Sequence, residues 1–184
     1  RARLAQLWFG AGEVDRSEAE AKAAVAADPK LGLARTILGF VKLARVQLNE
    51  ARAAFDEAIQ LEPNDPLPRL GLGLAKIRDG DLAAGREEIE TAVILDPNNS
   101  LIRSYIGKAY YEEKRDKLAA SQLGIAKELD PNDPTPWFYD AIRKQTVNDP
   151  VGALENLQQS IQKNDNRAVY RSRLELDQDL AARS

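Results

Sequence analysis

The sequence predicts an all-α protein built from a row of stacked helical hairpins, and three observations lead there. A proline preceded by an acidic residue returns at Pro29, Pro63, Pro97 and Pro131, each 34 residues after the last. Whole columns keep the same step: Leu38, Leu72 and Ile106 are each followed by glycine, at Gly39, Gly73 and Gly107, with Ala141 next. Each period also holds two amphipathic segments separated by a turn, which is the pattern of a helix pair.

The elements follow in order along the chain. Residues 1–31 begin inside a first helix, and residues 32–65 form the next repeat. The third, 66–99, shows the local physics most plainly. Asp65 is a good N-cap and Pro66 suits the first helical position, so "PLPRLGLGLAKIRDG" opens as a helix that Gly80 breaks. "DLAAGREEIETAVILD" then supplies a second helix ending at Pro97. Residues 100–133 and 134–167 repeat the plan, although at Asp165 the proline is lost and only the polar turn survives. A small column runs Ala51, Gly85, Ala119, Ala153, which lets two helix backbones approach. A large apolar column runs Phe55, Ile89, Leu123, Leu157, trailed by Ala58, Ala92, Ala126 and Ser160, and fills the space against the next hairpin. No single hairpin can bury its apolar face, whereas a stack can. The closing stretch 168–184, "AVYRSRLELDQDLAARS", reads as a lone capping helix, because Glu175 stands in the column that is Gly or Ala elsewhere.

This period, with Leu-Gly, a small residue, a large apolar residue, Ala and Pro at fixed offsets, resembles the tetratricopeptide repeat (TPR) family over nearly the whole chain, as about five repeats plus the capping helix. The resemblance implies a right-handed superhelical solenoid of antiparallel helix pairs, with first helices lining a concave groove. One column departs from the family. Its usual aromatic is replaced by Arg35, Arg69, Arg103 and Arg171, and only Trp137 keeps it. Trp137 is expected to pack between repeats, and the arginines to lay their stems in the same slot with heads toward helix C-termini. A subgroup of the family clamps a partner's terminal carboxylate with Lys, Asn and Arg. Here the corresponding wall is Thr36, Phe40, Leu70, Leu74 and Ser104, so that function does not carry over.

Bulk composition narrows the function further. A formal charge of −3 and a pI near 5.2 argue against a nucleic-acid partner held by bulk charge. No apolar run approaches the roughly 18 residues needed to span a bilayer, so no direct membrane insertion of this segment is expected. Met is absent, which suggests a piece of a longer chain or an engineered one. The chain also has no His and no Cys, which removes the usual general base, the thiolate nucleophile and the soft metal ligands. No enzyme, catalytic residue, cofactor or metal is therefore expected. "GLGLAK" at 71–76 lacks the spacing of a phosphate loop, and "LDPNNSLIRSYIG" lacks the central Gly and terminal Glu of a calcium loop. The acids Asp56, Glu57, Glu87, Glu88 and Glu90 read as a solvated convex face.

What remains is the inner stripe of the first helices. It reads Leu33, Thr36, Phe40, Leu43 in the second repeat and Leu67, Leu70, Leu74, Ile77 in the third. The fourth gives Leu101, Ser104, Lys108, Tyr111 and the fifth Thr135, Phe138, Ile142, Gln145, with Ile37, Tyr105 and Tyr139 adjacent. The stripe predicts a scaffold that binds an apolar or amphipathic peptide segment through Ile37, Phe40, Leu43, Leu70, Leu74, Ile77, Tyr105, Lys108, Tyr111, Phe138, Tyr139 and Ile142. The other reading is that the same stripe is core between neighbouring first helices. Gly71 beside it would let a partner approach the backbone, or would ease helix crowding. The alternative function is a structural module that packs on itself through the array ends, or on the rest of a longer protein. "SRLELDQDLAARS" resembles bacterial envelope proteins whose repeats precede an outer-membrane β-barrel, which would place the chain in the periplasm.

Overall fold

The computed structural model describes residues 1–164, so the capping helix expected over 168–184, with Arg171 and Glu175, lies outside the described residues. Within them the chain forms ten helices and no strand: α1 (Ala2–Gly10), α2 (Val14–Ala27), α3 (Gly32–Ala44), α4 (Leu48–Leu61), α5 (Pro66–Arg78), α6 (Leu82–Leu95), α7 (Ser100–Glu112), α8 (Asp116–Leu129), α9 (Pro134–Thr146) and α10 (Pro150–Lys163). Odd-numbered helices are the first members of each hairpin. Each packs most closely on the helix that follows it and then on the helix before it. None of the ten is long and apolar enough to cross a membrane.

Local signals place the helix ends. Asp65, Asp81, Asn99, Asp133 and Asp149 each accept a backbone N–H of the first turn, and Pro66, Pro134 and Pro150 open their helices. Between the members of a hairpin the chain reverses through one left-handed residue, in a column that reads Gly12, Val46, Gly80, Lys114 and Asn148, with φ between 60° and 96°. Valine is the misfit there, because a β-branched side chain at φ 61° crowds its own carbonyl. Val46→Asn, which borrows the residue of the fifth hairpin, is expected to stabilise the protein by about 1 kcal/mol in urea titration.

The small columns do what their size suggests. A Cβ added to Gly73 would stand 2.6 Å from the Gly85 carbonyl oxygen, so α5 and α6 cross backbone to backbone. Phe55 lies fully buried between α3 and α5, its ring filling the space where side chains on Gly39 and Gly71 would begin. Gly71 therefore makes room for Phe55 from the preceding repeat. The notion that it admits a partner to the backbone is corrected.

Neighbouring first helices touch one another along the whole row, while neighbouring second helices make no comparable contact among the described residues. A stack closer on one side than the other must curve, so the first helices form its inner face. The α5/α7 pair is the loosest of these inner contacts.

Candidate binding groove

The inner face divides the twelve residues singled out from the sequence into two sets. Ile37, Leu43, Leu70, Tyr105 and Tyr139 are buried, Leu70 to 1% exposure. Phe40, Leu74, Ile77, Lys108, Tyr111, Phe138 and Ile142 are half-buried. The first set seals the repeats together. Leu70, Tyr105 and Tyr139 belong to one core cluster with Ile89, Ile102 and Leu123, against which Leu74, Ile77, Phe138 and Ile142 pack. Leu43 joins the cluster around Phe55, and Ile37 the one with Ala5, Ala21 and Val41. Each first helix thus commits one edge of its stripe to the core and keeps the other at the surface.

Aromatic geometry fixes this lining. The Phe40 ring meets Phe55 edge-on at 5.0 Å and Phe9 at 6.1 Å. Tyr139 stands 5.8 Å from Tyr105 and 5.5 Å from Phe138. The Lys108 ammonium lies 5.9 Å from the Tyr139 ring and 2.8 Å from the Glu112 carboxylate one turn on. Glu112 stands outside the set predicted from the sequence, although its i, i+4 spacing from Lys108 is a sufficient signal. The hydroxyls of Thr36 and Ser104 are buried and donate back to the Gly32 and Ser100 carbonyls at 3.1 and 2.8 Å. They are not available to hold a carboxylate. At the α7 and α9 carboxyl ends a cleft of about 430 Å³ opens between Tyr111, Glu112, Lys114, Asp116, Thr146 and Val147.

The arginine column behaves differently from expectation. Arg35 pairs with Glu57 and Arg69 with Glu88, each at 2.7 Å, so these heads go to carboxylates on the second helix of their own hairpin. Among the described residues of the column only Arg103 reaches a helix end, donating to the Pro97 carbonyl at 2.9 Å as well as to Gln122. A carboxylate within reach outcompetes a partial helix charge. Trp137 takes the same slot in the fifth hairpin with the Lys127 and Lys163 ammoniums 4.4 and 5.0 Å from its ring.

Two of the acids read as solvated are also corrected. Glu88 accepts from both Arg69 and Lys76, and Glu90 accepts from Arg86 and the Tyr110 hydroxyl, all at 2.7–2.8 Å. Burial pushes the Glu88 carboxyl up, but its two cations outweigh burial and hold it below the usual range. Asp56, Glu57 and Glu87 remain exposed. Among the described residues no group of three metal-ligating side chains comes together.

Comparison with known proteins places this geometry in a class. The tetratricopeptide repeat model matches residues 42–104. No curated protein matches the sequence. Among solved structures, TTC0263, a thermophilic TPR protein of Thermus thermophilus, superposes with a TM-score of 0.81 over 97% of this chain and 96% of that one, at 16% identity. A chain of the APC/C hetero-tetramer Cut9–Hcn1 gives 0.81 and 16% over 89% of this chain, which spans only 31% of that one. YrrB, described as a TPR protein with an unusual peptide-binding site, gives 0.58 and 20%, covering 94% and 89%. The fold is that of a right-handed superhelical solenoid of antiparallel helix pairs. The tetratricopeptide repeat model thus covers about a third of the chain, and the same helix-pair fold extends over all the described residues.

Proposed function

We propose that this array is a non-catalytic scaffold whose concave groove holds an apolar or amphipathic peptide segment of a partner protein. The observation that carries the reading is the half-buried row Phe40, Leu74, Ile77, Tyr111, Phe138 and Ile142, which continues across four first helices with Lys108 in its midst. Such a row offers i, i+3, i+7 anchors apolar area already fixed by the core behind it, and Tyr111 adds a hydroxyl. The peptide-binding site named for YrrB is a precedent on the same fold. Apolar residues toward α3 and α5 suit an apolar stretch of the ligand. Lys108, Glu112 and Tyr111 suit a polar end.

Tyr111 and Lys108 pack less into the core than Leu74 does, so they make the cleaner test. The double variant Tyr111→Ala, Lys108→Glu should keep its helical circular dichroism and thermal midpoint while losing at least about tenfold in partner affinity. Unchanged affinity with an intact fold would remove the groove from the account.

A second reading, a module that packs on itself or on the rest of a longer protein, has its own support in α10. Val151, Leu154 and Ile161 are exposed on that helix, Ile161 to 71%. Light scattering across a concentration series tests the self-packing form of this reading, because self-packing raises the apparent mass and groove binding alone does not.

A further inference from the structure

Successive hairpins are joined by ion pairs whose polarity and position are not the same at every junction. At the first, between α2 and α3, Glu18 is buried on the second helix and takes Arg45 at 2.7 Å and Lys42 at 3.2 Å. Moving 34 residues along puts Arg52 in the column of Glu18 and Asp79 in that of Arg45, and they pair at 2.8 Å with the charges exchanged. The third junction keeps that exchanged sense, with Arg86 bound to Glu113 at 2.9 Å. At the fourth the two columns carry Ala120 and Val147, uncharged, and the ion pairs appear elsewhere.

There they replace apolar columns two at a time. Asp116 follows Val14, Leu48 and Leu82 in its column, and its partner Arg143, at 2.8 Å, follows Val41, Ala75 and Ala109. Lys127 follows Val25, Ile59 and Val93, and its partner Asp140, at 2.5 Å, follows Leu38, Leu72 and Ile106. In each case both sides of a contact changed to opposite charges together. A substitution tolerated at a solvated face needs no such partner, whereas one at a sheltered contact does.

We propose that these pairs form a register code that marks the first and the fourth junctions as distinct from the two between them, which share one sense. The columns are otherwise near-interchangeable, so a neutral stack would tolerate skipped or exchanged hairpins and swapping between copies. With the charges in place, the α2 face meeting the α5 turn would set Glu18 against Asp79, and the α6 face meeting the α3 turn would set Arg86 against Arg45. Like charges brought together at these half-sheltered contacts are unfavourable. The pairing of Asn or charge at single core positions of coiled coils works by the same logic.

The test uses the full chain and the third junction. Glu113→Lys should lower the folded-to-unfolded ratio in urea about tenfold beyond Glu113→Gln, because it adds repulsion to the lost pair. Adding Arg86→Glu should recover part of that loss, the remainder being the Arg86–Glu90 pair that the same change removes. Adding Arg52→Glu, the same column one hairpin earlier and the same change of net charge, should recover none of it. The proposal is overturned if Glu113→Lys is no worse than Glu113→Gln, or if Arg52→Glu rescues as well as Arg86→Glu does.

Discussion

Phe55→Ala is expected to lower unfolding stability by about 3–5 kcal/mol, the largest effect of any single truncation in the array. The ring is fully buried and is shared by three helices: it belongs to α4, rests edge-on against Phe40 of α3, and fills the hollow left by Gly39 and Gly71. Its loss removes apolar transfer energy and leaves a cavity whose walls are helix backbones, which collapse poorly. In a solenoid this contact is also the coupling between hairpins two and three. Urea unfolding followed by circular dichroism should therefore show an earlier midpoint and a broader transition. A loss below about 1 kcal/mol would mean that the neighbouring hairpins close the gap.

Asp140→Leu is expected to cost about 3 kcal/mol, although its column carries an aliphatic residue, Leu38, Leu72 and Ile106, in the earlier repeats. The aspartate is buried and accepts from Lys127, Arg143 and Asn156 at 2.5, 2.8 and 2.9 Å. Burial pushes its carboxyl up, and the two cations together outweigh burial and hold it below the usual range. Burial, with the nearby Lys144 and Arg143 charges, pulls the Lys127 ammonium down against the pull of Asp140, so Lys127 depends on that partner. Removing Asp140 strands a desolvated charge. The triple variant Lys127→Val, Asp140→Leu, Asn156→Ala, built from residues of the earlier hairpins, should recover the loss or exceed wild type. The pH dependence follows from the lowered carboxyl. Stability from Asp140 is present above its unfolded pKa and disappears as pH falls below about 4 toward the folded value. Wild type should lose more stability than the triple variant on acidification through that window, and equal losses would show that Asp140 does not titrate against folding.

The period, the helix pairs and the small columns were legible because they repeat, and repetition turns weak local preferences into a firm pattern. Asp65 and Pro66, Gly80 and Phe55 all stand where their side chains predicted. The groove was legible only as a stripe. A helical wheel places Leu70 and Leu74 on one face, yet curvature between α5 and its neighbours buries Leu70 and leaves Leu74 half-open. Curvature belongs to the whole stack, so no single helix encodes it. Charges were hardest to read. Glu88 and Asp140 look alike to a sequence pattern as isolated acids, and their roles come from cations 12 to 19 residues away or across a junction.

Site-specific photo-crosslinking tests the central claim most directly. A benzophenone amino acid is placed at Tyr111 on the groove, or at the exposed Glu87 on a second helix, and the full chain is irradiated in lysate of the source organism. The scaffold account predicts one dominant adduct at position 111, mapping by mass spectrometry to a segment with apolar residues at i, i+3 and i+7, and none at 87. Adducts at 87 with none at 111 would contradict it and move the working surface to the convex face.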